Sequence, residues 1–258
     1  MQLEMAMLSK TGGRKVNEDA CDFRSAAEIH CCVLSDGLGG HYGGDIASKL
    51  VVTSVLDAFQ KHPVCSQQTV EALLRVGNDA VVRAQRQNIT LRQMRATAVI
   101  LLVDTKHNSA VWGHIGDSRL YGFRQGRIIV QTRDHSVSQS MVEAGYLKPE
   151  ELRLSPRRNR LFAALGDSKH FEVTVIPGVF SVQEGDAFLL CSDGLWEHVL
   201  ESEMERTLAA SASVSEWLKV LEDRVLVHGG EGQDNYSAIA VWCSDPDETT
   251  LFPRMGSI

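Results

Sequence analysis

Apolar residues fill both parities of segment 29–34: Ile29, Cys31 and Val33 share one face, Cys32 and Leu34 the other. The same continuous filling recurs at 96–103, 187–191 and 238–242. A strand of this kind is covered on both faces. The pattern alone also suits a parallel sheet between helices, so the connections must decide. Candidate strands at 96–103, 109–116, 119–124 and 127–131 are separated by only two to five residues. A parallel crossover needs roughly a dozen or more. The spacing therefore predicts one antiparallel meander of these four strands, with Gln125-Gly126 as a hairpin turn.

Three segments carry helical period instead. Ala47, Leu50, Val51, Val55 and Phe59 form one stripe; Val70, Leu73, Leu74, Gly77, Val81 and Ala84 form a second. Val214, Trp217, Leu218, Leu221 and Val225 form the third, and Ser213 with Glu216 gives it a capping box. Doubly buried strands with amphipathic helices outside them predict an α+β fold of two packed antiparallel sheets covered by helices. No repeat, low-complexity tract or linker divides the chain. It reads as one domain over 1–243 with a polar tail at 244–258. An Arg-rich stretch at about 136–169, with Arg153, Arg157, Arg158 and Arg160, interrupts the pattern as an inserted flap near the site.

Composition narrows the function. The 258 residues carry 26 Lys and Arg against 33 Asp and Glu, a net charge of −7. Such a chain lacks the electrostatic footprint of a nucleic-acid or anionic-membrane binder. No apolar run approaches the roughly 20 residues of a membrane-spanning helix, and the N-terminus does not read as a signal peptide. The expected location is the cytoplasm. The six cysteines form no CxxC pair. Cys31, Cys32, Cys191 and Cys243 sit in apolar runs and read as small buried hydrophobes.

Acids mark the strand ends. Asp36 follows 29–34, Asp117 follows 110–115, Asp193 follows 187–191, and Asp234 precedes 236–242. Antiparallel pairing sets the end of one strand beside the start of its neighbour, so these acids can meet at one edge. Asp36 and Asp193 each lie in the tetrapeptide Ser-Asp-Gly-Leu. Gly lets backbone approach closely, and its carbonyl can serve as a further oxygen ligand. An oxygen-only cluster suits Mg²⁺ or Mn²⁺ rather than Zn²⁺. Any lone Asp-Gly after a strand is most often a turn; four strand-end acids shift the balance toward a metal site. Upstream, Arg14 can grip a phosphate bidentately, and Glu18 and Asp19 can accept from metal-bound waters, although the stretch taken alone reads first as a charged surface loop.

These pieces together resemble the metal-dependent protein serine/threonine phosphatases of type 2C, in their compact bacterial form. The matching stretches are RKVNED (14–19), SDGLGGHYGGDIAS (35–48), AVILLV (98–103), IGDSRLYGFRQG (115–126), RDHS (133–136), ALG (164–166), LLCSDGLWEHV (189–199) and GQDNYSAIAVW (232–242). They occur in the family's order and cover nearly all of residues 10–243. The resemblance implies a four-layer αββα sandwich and a binuclear Mn²⁺ or Mg²⁺ centre held by Asp36, the Gly37 carbonyl, Asp193 and Asp234, with Asp36 bridging. It implies a third ion at Asp117 and Asp193, phosphate binding by Arg14, and water-mediated roles for Glu18 and Asp19. The reaction implied is direct attack on phosphoserine or phosphothreonine by a metal-bridging hydroxide. The implied partners are protein substrates of a cognate bacterial serine/threonine kinase, met by a monomer. One departure stands out. Some members carry a general-acid His directly after the first Asp-Gly, where this chain has Leu38; the His comes at 41, so the role does not transfer simply to His41.

The competing classes do worse. A Cys-dependent phosphatase needs Cys followed six residues later by Arg, and none of the six cysteines has it. The P-loop pattern GxxxxGK[ST] is absent. An inactive, phosphoprotein-binding scaffold of the same fold would be expected to lack a metal ligand, and every matched carboxylate is present.

Overall fold

The computed structural model describes residues 1–39, 43–167, 171–230 and 232–244. The tail at 245–258 and His41 lie outside the described residues. The strands are β1 (Gln2–Lys10), β2 (Asp19–Ala26), β3 (Ile29–Leu38), β4 (Arg95–Ala96), β5 (Ala98–Asp104), β6 (Ser109–Ile115), β7 (Arg119–Arg124), β8 (Arg127–Gln131), β9 (Thr174–Val175), β10 (Phe180–Ser181), β11 (Ala187–Cys191) and β12 (Tyr236–Ser244). The helices are α1 (Gly44–Lys61), α2 (Gln67–Gln87), α3 (Val137–Glu143), α4 (Asp193–Trp196), α5 (Glu201–Ala210) and α6 (Val214–His228).

Two antiparallel sheets form the centre. One runs β1-β12-β11-β7-β8; the other runs β10-β6-β5-β3-β2, with β4 beside β3 and β9 beside β6. The alternating faces predicted for β3 and β5 go to different cores. Cys31, Val33 and Ile100 pack against Val51, Val55 and Leu74 of α1 and α2. Cys32, Leu34, Val99 and Leu101 meet Phe188, Leu190, Ile239 and Val241 of the other sheet. Leu189 and Ala240 turn outward to Leu208, Trp217 and Leu221 of α5 and α6. The layers are therefore helix, sheet, sheet, helix, as expected.

The predicted four-strand meander is not one meander. β5 pairs with β6 in one sheet, and β7 pairs with β8 in the other. Between β6 and β7 the chain crosses sheets through Gly116-Asp117-Ser118, with Gly116 at φ 98. Two-residue spacing excluded a parallel crossover but could not distinguish a hairpin from a step between layers, because strands in either sheet are buried on both faces. The Gln125-Gly126 turn holds, with φ 51 and 73 at its two residues, the left-handed geometry of a type I′ hairpin. Segment 96–103 is interrupted at Thr97, which separates β4 from β5.

β1 and β2 carry no clear period in sequence. β1 adds to β12 as an edge strand, with Leu3 and Met5 beside the inter-sheet core and Ala6 and Leu8 beside the helices. The predicted cap of α6 is present: Ser213 Oγ accepts from Glu216 N at 3.1 Å. The reciprocal bond goes to Ala212 N rather than to Ser213. Cys31, Cys32, Cys191 and Cys243 are buried, and all six cysteines are free thiols.

Candidate metal centre

The register brings the acids to one end of the sandwich. Asp19 and Asp36 are direct cross-strand partners in β2 and β3. In the other sheet β11 and β12 pair antiparallel, ending at Cys191 opposite Ala238, so Asp193 and Asp234 flank the same end. Asp117 lies on the crossing between sheets, two residues before β7, whose Arg119 pairs with Cys191. Asp19 and Asp117 are buried, whereas Asp36, Asp193 and Asp234 keep part of their surface open to solvent.

Backbone contacts fix this arrangement. Thr97 N donates to Asp36 O at 2.8 Å, and Asp36 N donates to Thr97 Oγ1 at 3.0 Å. Thr97 Oγ1 also pairs with Ser118 Oγ at 2.6 Å, tying the Asp36 strand to the Asp117 loop. Ser192 Oγ donates to Asp19 Oδ2 and accepts from Ser237 N, joining the two sheets. Asn235 Oδ1 accepts from Glu18 N, and its Nδ2 donates to Thr11 O and Val16 O, which holds the Arg14 loop beside β12. Trp196 Nε1 donates to Asp117 O at 2.9 Å, linking α4, which begins at Asp193, to the crossing loop. The glycines of both Ser-Asp-Gly-Leu copies are required by space. A Cβ on Gly37 would stand 2.0 Å from Gly44 O, and one on Gly194 would stand 2.0 Å from Asn235 O.

The carboxylates of this edge repel one another. Burial, with added repulsion from Asp19 and Asp193, raises the Asp36 carboxyl well above its usual range. Burial, then Asp117 and Glu197, does the same to Asp193. Asp117 is pushed up to about 7 by burial and by Asp134. Asp19 is pushed up to about 6 by burial, although Ser192 and Ser237 oppose the shift. Glu18 is raised by burial and by Asp45 and Asp234. Asp19 Oδ1 and Asp117 Oδ1 are buried without a hydrogen-bond partner. Among the described residues no three His, Cys, Asp or Glu side chains close into a ready-made metal cage. The orphaned oxygens and mutually repelling carboxylates nonetheless fit hard divalent cations, which would satisfy both.

Arg14 sits at the rim, more than half exposed, and donates to Asp234 Oδ2 at 2.8 Å. Two arginines of the Arg-rich stretch are tied down. Arg153 donates to Trp196 O at 2.7 Å and to Glu201 at 2.6 Å, and Arg158 pairs with Glu197. Arg157 and Arg160 are exposed.

A protein phosphatase 2C family profile matches residues 9–228. The chain belongs to that family. The family is metal-dependent. The chain is 32% identical over 214 residues to the serine/threonine phosphatase stp of Listeria welshimeri, covering 81% of this chain and 82% of that one. Among solved structures, the Mycobacterium tuberculosis serine/threonine phosphatase PstP/Ppp superposes with a TM-score of 0.82 at 30% identity, covering 94% of this chain and 99% of that one. A structure of the PstP catalytic domain in complex with two manganese ions superposes with a TM-score of 0.80 at 29% identity, covering 94% of this chain and 99% of that one.

Of the residues predicted for this 2C-family site, Asp19, Asp36, Asp117, Asp193 and Asp234 gather at one edge, with Glu18 and Arg14 beside them. Thr97, Ser192, Asn235 and Trp196 were not predicted. Ser192, Trp196 and Asn235 lie in the motif stretches 189–199 and 232–242 without a role read for them, and Thr97 is marked by a hydroxyl inside an apolar run.

Proposed function

We propose that this chain is a metal-dependent phosphatase that hydrolyses phosphoserine and phosphothreonine in proteins. The observation that carries the reading is the meeting of five aspartates from both sheets, two with unpaired buried oxygens, beside an exposed arginine. Asp36, the Gly37 carbonyl, Asp193 and Asp234 would hold two Mn²⁺ or Mg²⁺ ions, and Asp117 with Asp193 a third. Bound there, the ions supply Lewis acidity that activates a water and neutralises phosphoryl charge.

The chain's own residues do the rest. Arg14 takes two phosphoryl oxygens through its planar fork and orients phosphorus toward the carboxylate edge. Charge that builds on those oxygens during in-line displacement is met by the same guanidinium. Glu18 and Asp19, whose carboxyls lie beside the ligand strands, accept hydrogen bonds from waters in the cleft. Thr97 keeps Asp36 fixed from behind, so the ligand strand need not reorganise. Direct attack by an activated water requires no phosphoenzyme. Segment 136–169 acts as a flap whose exposed Arg157 and Arg160 face the protein substrate, within a catalytic domain of residues 1–243 followed by a tail. The enzyme works as a cytoplasmic monomer opposing a serine/threonine kinase. The inactive-scaffold alternative is not favoured, since no expected carboxylate is missing.

The test is hydrolysis of a phosphothreonine peptide with and without Mn²⁺. Asp36→Asn and Asp234→Asn should each lower Mn²⁺-dependent turnover at least about a hundredfold while circular dichroism stays unchanged. Wild-type protein that is folded, metal-loaded and inactive would overturn the proposal.

A further inference from the structure

α4 is a single turn, Asp193–Trp196, and one helical turn does not hold its own orientation. It opens on Asp193 and ends on Trp196, which is 1% exposed. Three ties from outside the turn converge on that last residue. The indole Nε1 donates to Asp117 O at 2.9 Å. The ring lies against the Arg119 guanidinium, with Cζ 3.5 Å from the ring centroid. The Trp196 carbonyl accepts from Arg153 at 2.7 Å.

Each tie is itself anchored. Arg119 is buried and gripped bidentately by Asp134, with both N···O distances 2.8 Å, and it donates to Tyr121 Oη at 3.1 Å. A cation stacked on an indole away from water resists sliding across the ring. Arg153 also donates to Val199 O at 3.3 Å and to Glu201 at 2.6 Å. Glu201 in turn accepts from Tyr121 Oη at 3.2 Å. A ring of side chains therefore closes through β7, α4, the Arg-rich stretch and α5, with Trp196 in it.

We propose that Trp196 is a positioning residue that sets the spacing of Asp117 and Asp193 and so tunes the binding of a divalent cation by that pair. Its indole bond joins the turn that carries Asp193 directly to the loop that carries Asp117. Asp117 Oδ1 is buried without a hydrogen-bond partner, and it is the oxygen that such a cation would take. The other acids are held by different groups. Thr97 bonds the Asp36 backbone, and the Asp234 carboxylate accepts from Asn235 N and from Arg14. Loosening Trp196 therefore disturbs one pair and leaves Asp36 and Asp234 in place. Arg153 acts through Trp196, so a displacement of the Arg-rich stretch reaches the acid pair across two bonds. The inference rests on the reading of Asp117 and Asp193 as cation ligands.

The experiment measures Mn²⁺ binding to the full chain from the electron paramagnetic resonance signal of free Mn²⁺. Wild type should show a tighter and a weaker class of site, the weaker one lost in Asp117→Asn. Trp196→Phe keeps a ring for Arg119 and removes the indole donor. It should weaken that class roughly tenfold and leave the tighter class unchanged. Arg153→Met should weaken the same class, with Arg153→Lys recovering part of the loss; this pair keeps the test usable if Trp196→Phe fails to fold. In ¹⁵N-tryptophan protein, Mg²⁺ should move the Trp196 indole resonance saturably in wild type and not in Asp117→Asn. Unchanged Mn²⁺ binding in Trp196→Phe, equal weakening of both classes, or no class sensitive to Asp117→Asn would overturn the proposal. Failure of the phosphatase reading would appear instead as a folded, metal-loaded and inactive wild type, with these binding differences still present.

Discussion

Asp117 shows how one residue can be visible in sequence and still be defined by its surroundings. Its position after an apolar strand marked it as a candidate, but burial and the Asp134 charge set its chemistry. Its folded pKa of about 7 lies above the usual carboxylate value, so the folded protein holds this proton where the unfolded chain has lost it. In metal-free protein that costs stability at neutral pH, and the cost fades as pH falls through about 7 toward the unfolded value near 4. Asp117→Asn should therefore be more stable than wild type in chelator at pH 7.5, with the advantage shrinking toward pH 4.5. Urea unfolding of both proteins across that range checks the sign. Comparing variants is essential because His135, lowered to about 4, contributes the opposite slope between 4 and 6.5. An advantage that grew on acidification would contradict the environment assigned to Asp117. Thr97 is the reverse case. A hydroxyl inside an apolar run is all that marks it, because its role depends on facing both Asp36 and Ser118.

At the scale of elements, local rules were sufficient where local bonds decide the outcome. The stripes of α1, α2 and α6 bury the predicted residues except Leu50 and Ala84, which are half-buried against the same core, and Ser213 caps α6. Ser213→Ala should destabilise the protein by about 1 kcal/mol, read as a lower urea midpoint with an unchanged slope. An unchanged midpoint would show that tertiary packing alone holds the α6 start. The shorter elements had no such signature. α4 is a four-residue turn whose N-terminal Ser192 spends its hydroxyl on Asp19 rather than on its own helix. β9 and β10 are two residues each, defined only by their pairing with β6. The crossing at Gly116-Asp117-Ser118 was read as a hairpin because its length fits either connection.

For the whole molecule, the acids link two sheets that bury a common core. Each sheet brings carboxylates to the same end, and the repulsion recorded in Asp36 and Asp193 is the cost of assembling them. Cations that bind only the folded state should return more than that cost. At a concentration of Mn²⁺ near 100 times its dissociation constant, linkage gives about 2.7 kcal/mol of stabilisation. Thermal unfolding should shift upward with Mn²⁺ in wild type, and the shift should largely vanish in Asp36→Asn. An equal shift in both would mean that the ions bind elsewhere.

The sequence by itself determined which main segments are strands buried on both faces, that α1, α2 and α6 cover them, and which acids stand at strand ends, because period, capping and turn chemistry act over a few residues. It could not decide which sheet each strand joins, nor that Asp19 faces Asp36 across one ladder while Asp193 and Asp234 approach from the other. Those depend on pairing between residues far apart in the chain. The two Ser-Asp-Gly-Leu copies show the division. Both glycines are required by close backbone contact, yet the first copy continues β3 and the second opens α4. Their serines bond to different partners, Thr97 O in one case and Asp19 in the other. Identical local sequence acquires different roles because each copy ends in a different sheet with different neighbours.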